Sequence, residues 1–255
     1  ESPSHWYLPD GTAYHEVPRA DGTGMRSATL RDARKVNAFP SVTNILGVLA
    51  KPALDAWKQE QAILAALTLP RRDDEPLDSF ARRVVADMTE QVRDAADLGS
   101  AVRLFAPVKQ WIDDHIERVA LVETVAVHPQ IGYAGRIDVV AKLKHAGSWA
   151  VVDFKTQKMK PNTKGVYQAT YYDTWPLQLM AYFEALRLSG ECTRKLEDIA
   201  SVVINSVEPT PVHVNIWPRE EHSAYWQAFQ CARELWGFTK NYRPQPITAH
   251  TAAAA

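Results

Sequence analysis

Three β-rich apolar runs follow one another within 35 residues: "LVETVAV" (121–127), "GRIDVVAKL" (135–143) and "WAVVDFK" (149–155). Short spacers, "HPQIGY" and "KHAGS", join them, so the stretch reads as an antiparallel meander. Side chains alternate along a strand, which puts Val151, Asp153 and Lys155 on one face and Val152 and Phe154 on the other. An acid and a base are then neighbours at the end of an otherwise apolar strand. Burying such a pair costs desolvation that its attraction need not recover, so it calls for a solvent-exposed face or a ligand. Taken alone, an acid-X-Lys at a strand end reads as a surface ion pair.

The rest of the chain wraps this meander in helices. Residues 1–40 carry turn formers ("LPDGT", "RADGTG") and scattered aromatics, the pattern of an irregular arm or small hairpin. From "PSVTNIL" onward the apolar spacing is helical, with Ser41 or Thr43 as the cap and Pro52 dividing two helices. "RRDDEP" is a charged loop, and a long helical stretch is predicted from Leu77 through Glu117 with a break at Gly99. After the meander come a polar loop and a helix over "WPLQLMAYFEALRLSG", capped by Asp173 or Thr174 and ended by Gly190. Strands at "IASVVINS" and "PVHVNIW" and a final amphipathic helix complete the order β-β-β-α-β-β-α, an α/β core with one sheet flanked by helices. The expected division is an N-terminal arm and helical region packed on the core (1–118), the core itself (119–246) and a low-complexity tail (247–255).

Composition narrows the class. With 46% apolar and 23% charged residues the chain is neither disordered nor fibrous. No apolar run is long enough to cross a bilayer and "ESPSHWYLPDG" has no signal pattern, so the expectation is a soluble cytoplasmic protein. Cys192 and Cys231, the two cysteines, form no zinc-like or iron–sulfur spacing. A net charge of −1 makes no global case for a polyanion partner, which must be met by a local patch.

Asp138, in "GRIDVV", lies on the strand before Asp153. If the two acids face each other across the meander they repel, and a hard divalent ion with oxygen ligands, Mg²⁺ or Mn²⁺, resolves the conflict. Lys155 points into the same place, where an ammonium can orient an attacking water and stabilise charge on a phosphate. "GRID" followed 15 residues later by "DFK" resembles the PD-(D/E)XK nuclease core. "QLMAY" is similar to the Q-x-x-x-Y element of the RecB-like exonuclease branch, with Gln178 and Tyr182 one turn apart on a helix. "PSVTNIL" with Trp57 after it resembles the N-terminal helical segment of phage and prophage members, and the likeness runs from about Pro40 to Trp236.

The resemblance implies a restriction-endonuclease-like core, with a central mixed sheet flanked by helices and an N-terminal helical extension. It implies a metal-dependent DNA exonuclease of phage or prophage recombination or repair, with Mg²⁺ or Mn²⁺ held by Asp138, Asp153 and the Phe154 carbonyl, Glu123 a further acid nearby. Lys155 then assists the attacking water, while Gln178 and Tyr182 position the strand. The family's G-x-x-x-H helix corresponds to Gly99 through Arg103, so an arginine replaces the histidine ligand; a guanidinium cannot donate a lone pair to a metal. Arg103 then binds a phosphate or disfavours the ion, and the rival expectation is a degenerate nuclease fold that binds DNA or protein without cutting. A second rival makes the acids a surface ion-pair ladder in a recombination-accessory protein. Lys158, Lys160 and Lys164 in "KTQKMKPNTK" suit a funnel for a phosphate backbone, though a solvated loop has the same composition. Most tryptophans are explained by core and helix packing, with Trp6 or Trp57 a candidate for base stacking, and His115 and His128 are expected to be exposed or satisfied structural residues rather than ligands.

Overall fold

The computed structural model describes residues 5–49, 72, 74–76, 79–80, 82–83 and 106–247. Its centre is a five-stranded sheet in sequential order, β5 (Ile116–His128), β6 (Tyr133–Leu143), β7 (Trp149–Gln157), β8 (Leu196–Asn205) and β9 (His213–Ile216). The predicted meander is β5-β6-β7, antiparallel throughout. A helix, α3 (Thr174–Ser189), then intervenes, so β8 returns parallel to β7, and β9 pairs antiparallel with β8. The sheet is mixed for that reason: two strands joined through a helix run the same way, whereas strands joined by tight turns reverse.

Both sheet faces are covered. Val151, Ile199, Ile137 and Val140 share a buried cluster with Leu179, Met180, Ala185 and Leu186 of α3 and with Phe229 and Trp236 of α4 (His222–Lys240). Val139, Val152, Phe154 and Val202 face the other way, packed with Val108 and Trp111 of the helical segment 106–115. The predicted alternation along β7 holds: Val151 belongs to one layer, Val152 and Phe154 to the other. Fully burying each such aliphatic side chain contributes about 1.5–3 kcal/mol, and this two-sided burial fixes the register.

The helix caps follow local chemistry. Gly190 ends α3 in the left-handed region at φ 75°. Asp173 occupies the N-cap of α3 without using its side chain. Ahead of α2 (Val42–Leu46), Ser41 Oγ accepts the Asn44 N–H at 3.0 Å. At the other end of the core, buried Asp198 receives a two-pronged contact from Arg219 (2.6 and 2.8 Å) and the Ser148 hydroxyl, tying β8 to the turn before α4.

The N-terminal region is more ordered than its composition suggests. β1 (Trp6–Tyr7) pairs with β4 (Phe39–Pro40), β2 (Glu16–Pro18) with β3 (Met25–Ser27), and a short helix α1 (Leu30–Lys35) follows. The sequence "TLRD" is a capping box: Thr29 accepts from the Asp32 N–H and the Asp32 carboxylate accepts from the Thr29 N–H. Trp6, Val42 and Ile45 join the cluster of α3 and α4, so this segment shares the main core. The β2–β3 pair is the small hairpin expected there; a correction concerns the stretch predicted to be helical through Glu117. Strand β5 already starts at Ile116, because Ile116 pairs with Leu143 and buries with it on the face that carries Trp111. Most of the rest of that predicted helix lies outside the described residues. Among the described residues no helix is long and apolar enough to cross a membrane.

His115 and His128 have different surroundings. His115 Nδ1 lies 3.0 Å from the Trp111 carbonyl, as a satisfied structural residue should. His128 is buried, sandwiched between Tyr133 (5.0 Å) and Trp226 (5.7 Å, 21° between planes), and its Nδ1 has no hydrogen-bond partner, so it is neither exposed nor fully satisfied. Burial, with a smaller contribution from the Arg187 charge, lowers its pKa to about 4. The unfolded chain therefore takes up a proton at about pH 6.5 that the folded chain refuses until about pH 4. Stability contributed by neutral His128 is complete above about pH 6.5 and is lost as pH falls toward about 4. Thermal melts across this range should show Tm falling with acid, and the slope should be shallower in His128→Phe, which keeps a ring in the stack.

Candidate active site

Strands β6 and β7 pair only from Val139 opposite Val152 to Lys142 opposite Trp149. Beyond Val139 and Val152 they part: residues 133–138 of β6 stay with β5, and residues 153–157 of β7 stay with β8. Asp138 and Asp153 are the first residues past the fork. The Phe154 N–H donates to Asp138 Oδ2 at 2.8 Å, so a carboxylate caps the strand edge where the ladder ends.

Asp153 and Lys155 project toward α3, as their alternation with Val152 and Phe154 requires. Lys155 Nζ lies 2.7 Å from Asp153 Oδ2 and donates to Gln178 Oε1 at 3.2 Å. Gln178 Nε2 donates to Asp153 Oδ1 at 3.3 Å and to the Tyr182 hydroxyl at 2.8 Å. These contacts set the amide orientation: oxygen toward the ammonium, nitrogen toward the carboxylate and phenol. The four-residue spacing of Gln178 and Tyr182 puts both on one face of α3. Tyr182 does not line an open groove; it is buried, and burial followed by the Asp153 charge pushes its hydroxyl well above the ordinary tyrosine range. It stays protonated and acts as a fixed polar prop.

Glu123 sits on β5 between the pairs Val122–Val139 and Thr124–Ile137 and adopts φ 50°, a left-handed conformation costing a non-glycine residue roughly 1–2 kcal/mol. Its carboxylate takes a hydrogen bond from Arg136 at 3.2 Å, so it stands near the fork but is engaged elsewhere. Lys158 and Lys160 are exposed on the loop leaving β7. Arg103 and Trp57 lie outside the described residues.

Two of the buried aspartates, Asp153 and Asp198, differ in what holds them. Asp198 is held by the Arg219 guanidinium and the Ser148 hydroxyl, whereas Asp153 is held by the Lys155 ammonium at 2.7 Å and, at 3.3 Å, by the Gln178 amide. Asp138, whose carboxylate takes the Phe154 N–H, and Asp153, one residue before Phe154, offer hard carboxylate oxygens of the kind that suit Mg²⁺ or Mn²⁺. Among the described residues no group of three or more His, Cys, Asp and Glu side chains forms a candidate metal site. A two-carboxylate site is still compatible with Mg²⁺, which is ordinarily held by one or two carboxylates with water and phosphate completing its shell.

The model of a family described as the PD-(D/E)XK nuclease superfamily matches residues 31–248. The chain belongs to the PD-(D/E)XK nuclease superfamily. Such nucleases generally use divalent metal ions. Among solved structures the chain is similar to "Putative exonuclease" from Eubacterium rectale, with a TM-score of 0.45 and 11% identity, covering 90% of this chain and 94% of that one. No curated protein matches the chain.

One residue of this candidate site carries no side chain and so escaped a reading based on polar groups. A Cβ on Gly135 would lie 2.4 Å from Cε1 and 3.0 Å from Cδ1 of Tyr182, with Val42 at 3.2 Å behind. The glycine three residues before Asp138 is the seat of the Tyr182 ring; the visible signal was its place in "GRID". Gly135→Ala should force Tyr182 aside and cost about 1–3 kcal/mol, read as a lowered urea midpoint with unchanged m-value. An unchanged midpoint would show that Tyr182 has slack.

Proposed function

We propose that the chain is a metal-dependent DNA exonuclease that hydrolyses phosphodiester bonds, working in phage or prophage recombination or repair. The observation that carries the chemistry is the closed network in which Lys155 is held between Asp153 and Gln178 beside the Asp138–Phe154 contact. Asp138, Asp153 and the Phe154 carbonyl would hold Mg²⁺ or Mn²⁺. The ion supplies Lewis-acid polarisation and neutralises charge on the phosphate. Lys155, held beside the acids, would place its ammonium toward the attacking water or a phosphate oxygen. Gln178 holds the ammonium in place, its amide orientation fixed by the donor Lys155 and the acceptor Asp153, and Tyr182 braces the amide from behind. In the reaction water adds to phosphorus as one P–O ester bond breaks, and the leaving oxygen takes a proton. The exonuclease and phage settings rest on the likeness of "QLMAY" and "PSVTNIL" to that branch.

A second reading, a degenerate fold that binds without cutting, is favoured by Arg103 in place of the family histidine. The two readings separate on end-labelled linear DNA with Mg²⁺, Mn²⁺ or EDTA. The nuclease reading expects metal-dependent release of label that falls by at least ~100-fold in Lys155→Ala and in the isosteric Asp138→Asn. No cleavage by folded wild type, with cleavage gained in Arg103→His, selects the degenerate reading.

The same variants give a binding test that needs no turnover. Lys155→Ala leaves the Asp153 carboxylate buried without its cation, so Tm in EDTA should drop. Removing that positive charge also favours a divalent ion, so Mn²⁺ should raise Tm more in Lys155→Ala than in wild type, and not at all in Asp153→Asn. Equal Mn²⁺ shifts in all three proteins would place the ion elsewhere.

A further inference from the structure

Beyond Lys155, the loop leaving β7 is built rather than slack. Residues 153, 155 and 157 share one strand face. Gln157 clamps Thr170 in both directions: its Oε1 accepts the Thr170 N–H at 3.0 Å and its Nε2 donates to the Thr170 carbonyl at 2.5 Å. The chain between Thr170 and α3 therefore passes the face that presents Asp153 and Lys155. Earlier in the loop, Asn162 Oδ1 accepts the N–H groups of Lys164 and Val166, and the Met159 N–H donates to Asn205. Lys158, Lys160 and Lys164 are held outward on this frame.

Two adjacent tyrosines near the clamp differ in burial. Tyr171 is anchored, with its ring edge-on to Trp175 (6.0 Å, 85°) and Trp217 (6.2 Å, 90°) beside buried Met159 and Val203. Tyr172 is 54% exposed, yet its ring is braced edge-on against Trp175 at 5.2 Å and its carbonyl accepts the Trp175 N–H. Scattered apolar residues on a surface are ordinary. A braced aromatic ring on a pinned, lysine-bearing loop six residues before Gln178 is instead the combination that single strands use: phosphates follow the cations and a base stacks on the ring.

We propose that Tyr172 is a stacking platform for an unpaired base of a strand whose phosphates run along the lysine loop toward Lys155 and the two acids. The substrate class this implies is single-stranded DNA or a frayed end, because in an intact duplex the base faces are covered by their neighbours. The inference rests on the nuclease reading above and specifies the substrate of that site.

The test is fluorescence anisotropy in EDTA with labelled oligo-dT and a blunt hairpin duplex, on the full chain as wild type, Tyr172→Ala and Tyr172→Phe. Expected is about tenfold weaker oligo-dT binding in Tyr172→Ala, near wild-type binding in Tyr172→Phe, and hairpin binding unchanged by either. Oligo-dT affinity untouched by Tyr172→Ala, or both DNAs weakened alike, overturns the platform. Cleavage assays on the same proteins separate the two levels. Wild type that cleaves DNA while Tyr172→Ala binds oligo-dT normally defeats only the platform; wild type that neither binds nor cleaves any DNA defeats the nuclease reading and the platform with it.

Discussion

The site depends on one event in the sheet, the parting of β6 and β7 after the Val139–Val152 pair. A strand that leaves its neighbour exposes backbone donors, and a buried donor without a partner is costly. Here the Asp138 carboxylate takes the Phe154 N–H that the ladder no longer reaches. One carboxylate thus ends the pairing and occupies the mouth of the fork. The neighbouring strand bears strain at the same level, since Glu123 is left-handed between the pairs that flank Asp138. Backbone strain beside a break in pairing marks a place where the fold gives up regularity for geometry.

Charge follows from that geometry. Once β7 continues alone beside β8, Asp153 and Lys155 are turned toward α3 and away from bulk water, which a surface ion pair would not be. Side-chain exposure falls to 4% for Asp153 and 21% for Lys155. A pair this deep survives only if its remaining groups are held, and Gln178 does so from both ends of its amide. Asp198 offers a contrast. Its partner is the Arg219 guanidinium, which grips both oxygens in a two-pronged contact, whereas the partner of Asp153 is the point charge of the Lys155 ammonium, itself steadied by Gln178.

Much of this was legible in the sequence, and for identifiable reasons. The period-two runs gave the meander because both faces of β7 are buried in separate layers, so alternation had to be strict. The four-residue spacing of Gln178 and Tyr182 gave their common face because α3 is regular there. What escaped depends on contacts between distant segments. The helix α1 is six residues long, too short for periodicity to register, and rests on the four-residue capping box "TLRD". Tyr182 was expected to position the strand alongside Gln178, but its burial depends on the space above Gly135, a property of two elements together. His128 sits in a sandwich completed by Trp226, nearly a hundred residues away, and no local pattern marks that.

Because the same residues close the sheet and form the candidate site, stability and the proposed chemistry are coupled in this chain. Asp138 stands in for a ladder bond, Lys155 neutralises a buried acid, and Gln178 and Tyr182 pack α3 onto the fork while ordering the ammonium. A substitution at any of them removes a structural partner along with a functional group, so loss of activity alone identifies neither role. The two roles diverge in their response to a divalent ion. A structural ion pair is weakened by a competing cation, whereas a metal-holding pair of carboxylates is relieved of mutual repulsion by it. The sign of the stability change on adding metal is therefore a property of the site itself, independent of turnover, and it follows from the disposition of Asp138, Asp153 and Lys155 around the fork.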